Sequence, residues 1–499
     1  MAQSSGLQRA AEANQQGQFE KAESTLRGVL RTQPDSLPAN QMLGVVLEQE
    51  EKFQEAEQIL QKAAKLSDGK DPQILLALCR AEFALRKKSE AQALAGQVAA
   101  RADDSTQLHY ALGALLRENG LAEGAVQELQ TARALAPGNP AVVTELVVAE
   151  LDLGRGQAAA DQLAKLLESA SYEDLLSAGA RFGETGKNDA AVQTLERAVQ
   201  LKPDSYNAVF NLAFAYYHQG KPEQTLVALN NIPSTEASGQ ADYHYLRGKA
   251  EAALHQDREA GEEFLKALQI EPGNESLCSD AGLLFFHFEN FWKALDLYQR
   301  CSERLPDSMP VETGLGLTYF RLGKYDDATR TFAKVLALRP DADAAREALV
   351  FLDYVSGRLP DARRLVEERL RTPGADYYLY YLNALVLLRL APSGDHREPM
   401  NALNEAARLN PRFAPVYFQR AKLCDEAHDD ARALADLAAA TRLDNTYAEP
   451  FSLMAQIDYK LGRMGEAAQA QREYTLRVHE REEKEQDQLV ENRLLQAIQ

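Results

Sequence analysis

"LTYFRLGKYDDATRTFAKVLALRP", residues 317–340, holds two short runs of apolar residues at helical spacing, parted by Gly323 and closed by Pro340. Glycine ends a helix in a left-handed turn at little steric cost, and proline cannot continue one. The phrase therefore predicts a helix, a tight turn, a second helix and a stop. Looser copies recur along the chain. Aligned on Ala328, they give Ala22, Ala56, Ala91, Ala125, Ala159, Ala191, Thr225, Ala260, Ala294 and Ala362, then Ala433 and Ala467. Most steps are 34 residues, and the one gap of 71 is two periods plus 3.

Other positions keep the same register. Turn glycines stand at Gly17, Gly120, Gly154, Gly186, Gly220, Gly323, Gly357 and Gly462, and stop prolines at Pro34, Pro137, Pro203, Pro272, Pro306, Pro340 and Pro411. Gly44, Gly113, Gly179, Gly248, Gly282 and Gly316 lie midway along the first helix, opposite the alanine ladder, where a small residue lets two helices interlock.

On these residues the chain resembles the tetratricopeptide-repeat family, with about fourteen units starting near residues 3, 37, 72, 106, 140, 172, 206, 241, 275, 309, 343, 377, 414 and 448. The resemblance implies an all-α fold, a right-handed α-solenoid superhelix of tandem helix-turn-helix units whose first helices line a concave groove. Three segments are expected: residues 3–205 with units one to six, residues 206–481 with units seven to fourteen, and a charged capping helix over residues 482–499. "APSGDHREPM", residues 391–400, predicts a longer loop inside the twelfth unit. Leu489, Val490, Leu494, Leu495 and Ile498 form a short apolar stripe that can cap the stack or pair two chains.

The formal net charge of -19 disfavours nucleic acid and anionic membrane surfaces, which need a basic footprint. No run of about 18 apolar residues predicts membrane insertion. The opening "MAQSSGLQ" fits either the bacterial cytoplasm or, after removal of a signal peptide, the periplasm, so the compartment stays open.

Catalytic signals are thin. "GRGQAA", Gly154 to Ala159, spells a dinucleotide-like motif but falls at an interhelical turn with no strand before it. "HEREE" at His479 begins like a zinc-protease helix, yet Glu483 stands where the second histidine belongs. His218 and His244 are the one histidine pair suspected of proximity. Cys278 and Cys301 lie on the two helices of one unit and can approach each other, although buried cysteines are expected to act mainly as small apolar residues. No catalytic residue, metal or cofactor is expected.

In the family, ligand contacts come mostly from the second, fifth, ninth, twelfth and thirteenth positions of each unit. Here those positions turn aromatic from the seventh unit onward. The resemblance thus implies partner-binding roles for Phe210, Phe214, Tyr217, Tyr245, Lys249, Phe286, Phe320, Arg321, Phe351, Tyr354, Tyr381, Phe418 and Lys422. No unit has lysine at its fifth position, which argues against a carboxylate clamp for heat-shock chaperones. The expected function is a non-catalytic scaffold or adaptor that grips a protein or peptide segment in the groove. The alternative is a polysaccharide-binding or export-associated scaffold of the bacterial envelope.

Overall fold

The computed structural model describes residues 2–480 except Ser393, together with Leu495. Among them there are helices and turns but no strand. The first helices of the fourteen repeats begin at Ala2, Leu37, Pro72, Thr106, Pro140, Tyr172, Tyr206, Ala241, Glu275, Met309, Asp343, Tyr377, Ala414 and Ala448, in the register of the sequence period. One short extra helix, Ser234–Ala237, follows the seventh pair. The twelfth pair, Tyr377–Leu390 and Arg397–Leu409, encloses the insertion. The expected capping helix, with Leu489, Val490, Leu494 and Ile498, lies outside the described residues, as does the side chain of His479.

The chain divides into two compact units, Met1–Ala237 and Ser238–Gln499. Within each, every first helix packs on its own second helix, and successive pairs pack on one another, as a solenoid requires. The eight turn glycines have φ between 69° and 76°, and Glu51, Arg86, His255, Glu289 and His428 take the same left-handed conformation in repeats without glycine there. Each second helix followed by a stop proline ends two residues before it, as at Thr32 before Pro34 and Leu338 before Pro340.

The alanine ladder is the seam between paired helices: Ala22, Ala56, Ala91, Ala125, Ala260, Ala294, Ala328 and Ala362 have no exposed surface. The small residues opposite receive large side chains 16 positions later. A Cβ on Gly44 would stand 2.4 Å from Leu60, and one on Gly316 would stand 2.8 Å from Phe332. The tightest case is Tyr298, 1% exposed, whose ring lies between Gly282 and Gly314; a Cβ on either would approach Cζ to 2.2 or 2.3 Å. Gly282→Ala should therefore lower stability by about 2 kcal/mol through overpacking. A thermal melt checks this, and an unchanged midpoint would contradict it.

The fourth position of the repeat carries a device that the periodicity did not reveal. In four repeats a polar side chain there lies within hydrogen-bonding distance of a carbonyl six residues earlier, across the turn between repeats. Asn40 donates to the Pro34 carbonyl at 3.0 Å, Arg346 to that of Pro340 at 2.7 Å and Tyr417 to that of Pro411 at 3.0 Å. His109 lies 3.0 Å from the Asp103 carbonyl and 2.7 Å from Glu128. His244 repeats the second contact with Glu263 at 2.6 Å. Repeat nine has Cys278 at this station, and it forms a disulfide with Cys301 on the second helix. The expectation of cysteines acting mainly as small apolar residues is corrected for this pair, because the hairpin brings their Cα atoms to 6.1 Å, within bonding reach. Cys79 and Cys424 are buried free thiols.

Candidate functional site: the inner positions of the first helices

The thirteen side chains singled out from the sequence fall into three groups. Phe286, Phe320, Phe351 and Tyr381 are only 3–4% exposed and belong to the core of the second unit. They are not open rings, which corrects that part of the expectation. The cause is geometric: an inner position of one first helix also abuts the neighbouring repeat. Phe320 meets Phe351 of the next first helix edge-on at 6.1 Å, and Tyr381 meets Phe413 at 5.1 Å. Phe286 is covered by Phe291 at the start of its own second helix, 5.1 Å away.

Half-buried side chains form the second group: Phe210, Tyr217, Tyr245, Lys249, Arg321, Tyr354 and Phe418. Several are engaged within the chain. The Tyr245 hydroxyl donates to Asp280 at 2.7 Å, and Lys249 lies 3.1 Å from the same carboxylate. Burial, with the Asp280 carboxylate second, pushes the Tyr245 phenol up to about 12. The Arg321 guanidinium stacks over Phe291 at 5.0 Å, and that of Arg389 over Tyr354 at the same distance.

Exposed members make the third group. Phe214 is 46% exposed, and Lys422 is exposed 5.9 Å from the Phe418 ring centroid. Phe214 sits on the helix Tyr206–His218, with the ring of exposed His218 4.4 Å away. Tyr206 and Phe210 stack at 5.6 Å on the same helix. Trp292 escaped the sequence reading. It is the only tryptophan in the chain, lies 65% exposed on a second helix, and has Lys324 at 4.9 Å over its ring. Single occurrence was its one sequence signal.

In repeats two to six the inner positions are joined by ions instead of rings. Arg117, at a twelfth position, donates from Nε to Glu145 of the next repeat at 3.0 Å, and Arg181 of the repeat after donates to the other oxygen of Glu145. Lys187 pairs with Asp152, and Arg80 reaches Glu48 of the preceding repeat at 3.2 Å. These charges hold consecutive repeats together. Among the described residues no group of three or more His, Cys, Asp or Glu side chains is placed to hold a metal ion. No described helix is long and apolar enough to cross a membrane.

Buried acids recur at the eleventh position: Glu82, Glu150, Glu251, Asp353 and Asp458 are 4–6% exposed. Burial raises the pKa of Glu82, and the nearby Glu57 adds to it. Its Oε2 has no hydrogen-bond partner. A carboxyl raised in the folded state opposes folding when ionised, and that penalty is relieved as pH falls through the folded pKa. Glu82→Gln should thus raise the melting temperature at pH 7.5, with the gain fading on acidification. A gain that grew at lower pH would contradict the assignment.

One tetratricopeptide-repeat model matches residues 13–66, 184–250 and 319–378, and a second model of that repeat matches residues 76–140. The peroxisomal targeting signal receptor of Candida albicans is 26% identical over 173 residues, covering 32% of this chain and 28% of the receptor. Protein O-mannosyl-transferase TMTC1 of Homo sapiens is 27% identical over 223 residues, covering 42% of this chain and 24% of that protein. The TPR repeat-containing protein MJ1428 of Methanocaldococcus jannaschii is 22% identical over 298 residues, covering 50% and 52%. The chain thus spans roughly a quarter of the first two relatives and about half of the third. Among solved structures, a chain of the APC/C hetero-tetramer Cut9-Hcn1 aligns over 90% of this chain and 95% of its own length, at 13% identity and a TM-score of 0.36. Pseudomonas aeruginosa pilF aligns over 41% and 91%, at 20% identity and a TM-score of 0.34. With the helix register, the turn glycines and the matched repeat models in agreement, the chain belongs to the tetratricopeptide-repeat family.

Proposed function

We infer that the protein is a non-catalytic interaction scaffold that binds a segment of a protein partner at the inner positions of its first helices. Proteins of this family generally mediate protein–protein interaction. The observation that carries the reading is the helix Tyr206–His218, which keeps Phe214 and His218 exposed beside half-buried Phe210 and Tyr217. Those residues recur at i, i+4, i+7 and i+8, so they share one helix face. A partner covering such a ring gains the burial that dominates interface energetics. In the second unit Tyr245, Tyr354, Phe418 and Lys422 are separate candidates, whereas Phe320, Phe351 and Tyr381 pack against neighbouring repeats and Phe286 packs within its own.

Affinity capture from a native lysate tests this, with wild type beside a Phe214→Ala, Tyr217→Ala variant of unchanged circular dichroism. The expected result is loss of specific proteins from the variant bait. Equal retention by both baits contradicts it. A second reading, an export-associated envelope scaffold that binds polysaccharide, draws support from the Cys278–Cys301 disulfide, because such bonds persist mainly in oxidising compartments. Retention of glycan without protein would move the assignment to that reading.

A further inference from the structure

The exposed ring of Phe214 has a neighbouring helix of small residues on one flank. Where the helix Tyr206–His218 carries Asn211, Phe214 and Tyr217, the preceding first helix, Tyr172–Glu184, carries Ser177, Ala180 and Gly183 in the same register. The two helices pack on each other within the first unit. Asn188, at the start of the helix that follows Glu184, donates to the His218 carbonyl at 2.9 Å and ties their ends together. Ser177 and Ala180 are exposed, and a Cβ added to Gly183 would meet nothing within 4 Å. Side chains this short leave room on that flank for one from outside.

The rim of this face is acidic. Glu118, Asp152 and Glu184 hold the thirteenth position of repeats four, five and six, and each is the last residue of its first helix. Their side chains are 55%, 30% and 66% exposed. The first three repeats have Gln15, Gln49 and Ala84 there, and Glu426 is the one later acid. A helix C-terminus already carries about half a negative charge, which favours cations and disfavours carboxylates. Among the described ion pairs, three cations, Arg117, Arg181 and Lys187, serve four carboxylates, the three of the rim and Glu145. Arg181 is committed to Glu145 and reaches Glu118 and Glu184 only at 3.5 Å. A further cation on this rim would be stabilised.

We propose that the partner segment bound on this face is basic: an apolar residue packs on Phe214 and Tyr217, and an adjoining lysine or arginine reaches Glu184 and Glu118. The proposal rests on the scaffold reading and deepens it by naming the chemistry of the partner. In the repeat register Glu184 matches His218, one helical turn, about 5.4 Å, beyond Phe214. A long basic side chain next to the apolar anchor spans that distance. Arginine gains twice, since its plane stacks on an aromatic face while its nitrogens pair with a carboxylate. The formal net charge of -19 adds a long-range attraction for cationic segments, which speeds encounter and makes binding sensitive to salt.

Phage display of random short peptides against the full-length protein tests this. The most enriched sequence is then synthesised with a fluorescent label and titrated by anisotropy against wild type, a Glu118→Gln, Glu184→Gln variant and a Phe214→Ala, Tyr217→Ala variant. Circular dichroism establishes that all three are folded. The expected result is enrichment of sequences that join lysine or arginine to an apolar residue. Binding should weaken about tenfold or more in the charge variant, vanish in the ring variant, and fall in wild type as salt rises. Enrichment of neutral or acidic sequences, absence of enrichment, or equal binding to wild type and the charge variant overturns the proposal. Binding lost in the ring variant but kept in the charge variant removes the basic partner and leaves the scaffold reading standing. Binding unmoved by either variant removes both.

Discussion

Glu145→Ala should lower the stability of the first unit by about 3 kcal/mol or more. The Glu145 side chain is 3% exposed and takes hydrogen bonds from Arg117 and Arg181, which reach it from the repeats on either side. Truncation leaves the Arg117 guanidinium, 10% exposed, with the half-exposed Glu118 at 3.6 Å and Asp152 at 3.8 Å, both poorer partners. Losing one member of a buried pair costs far more than the pair is worth, because the remaining charge stays desolvated. Urea denaturation followed by circular dichroism measures the loss, and hydrogen exchange should localise it to repeats four to six. The double variant Arg117→Met, Glu145→Leu should recover much of it, since apolar side chains of similar volume need no charge partner. A loss below about 1 kcal/mol, typical of an exposed pair, would contradict the assignment of this carboxylate as the joint between repeats.

Loss of the disulfide should have an effect of similar size. Cys278 and Cys301 are 23 residues apart, and closing a loop of that length removes enough freedom from the unfolded chain to stabilise the fold by about 3 kcal/mol. A Cys278→Ala, Cys301→Ala variant should unfold at correspondingly lower urea, and reductant should shift the wild type but leave the variant unchanged. Thiol counting gives a separate check. Burial pushes the Cys79 thiol up to about 12 and raises that of Cys424, so neither is a reactive thiolate in the folded protein. After unfolding without reductant two thiols should titrate, and four with reductant. Four under both conditions would contradict the bond.

The fold was legible because its determinants repeat. A turn glycine or a seam alanine is read many times, and chance agreement at one repeat is outvoted by the others. Even the repeats that lack the glycine keep its geometry, as His255 and His428 show at φ 58°. The role of a ring was not legible in the same way. Phe320 and Phe214 stand at comparable inner positions, yet the first is 4% exposed and the second 46%. Phe320 is covered because the next first helix brings Phe351 against its ring. Periodicity within one repeat carries no information about that crossing. The ion pairs were hidden for the same reason, with Glu145 lying 28 residues from Arg117 and 36 from Arg181. The disulfide was closer to reach, because Cys278 occupies the fourth position where His109 and His244 clasp their own second helices. A register-by-register comparison of the repeats exposes that shared station, whereas a search for motifs passes over it.

The central claim is that recognition belongs to the inner positions left open by packing between repeats, with the helix Tyr206–His218 foremost. Hydrogen exchange of the full chain, with and without a protein recovered by affinity capture, tests it most directly. The account predicts new protection concentrated on Tyr206–His218 and other first helices, with Phe214→Ala, Tyr217→Ala abolishing it. Protection confined to second helices, such as Phe291–Arg304 with its exposed Trp292, would contradict it.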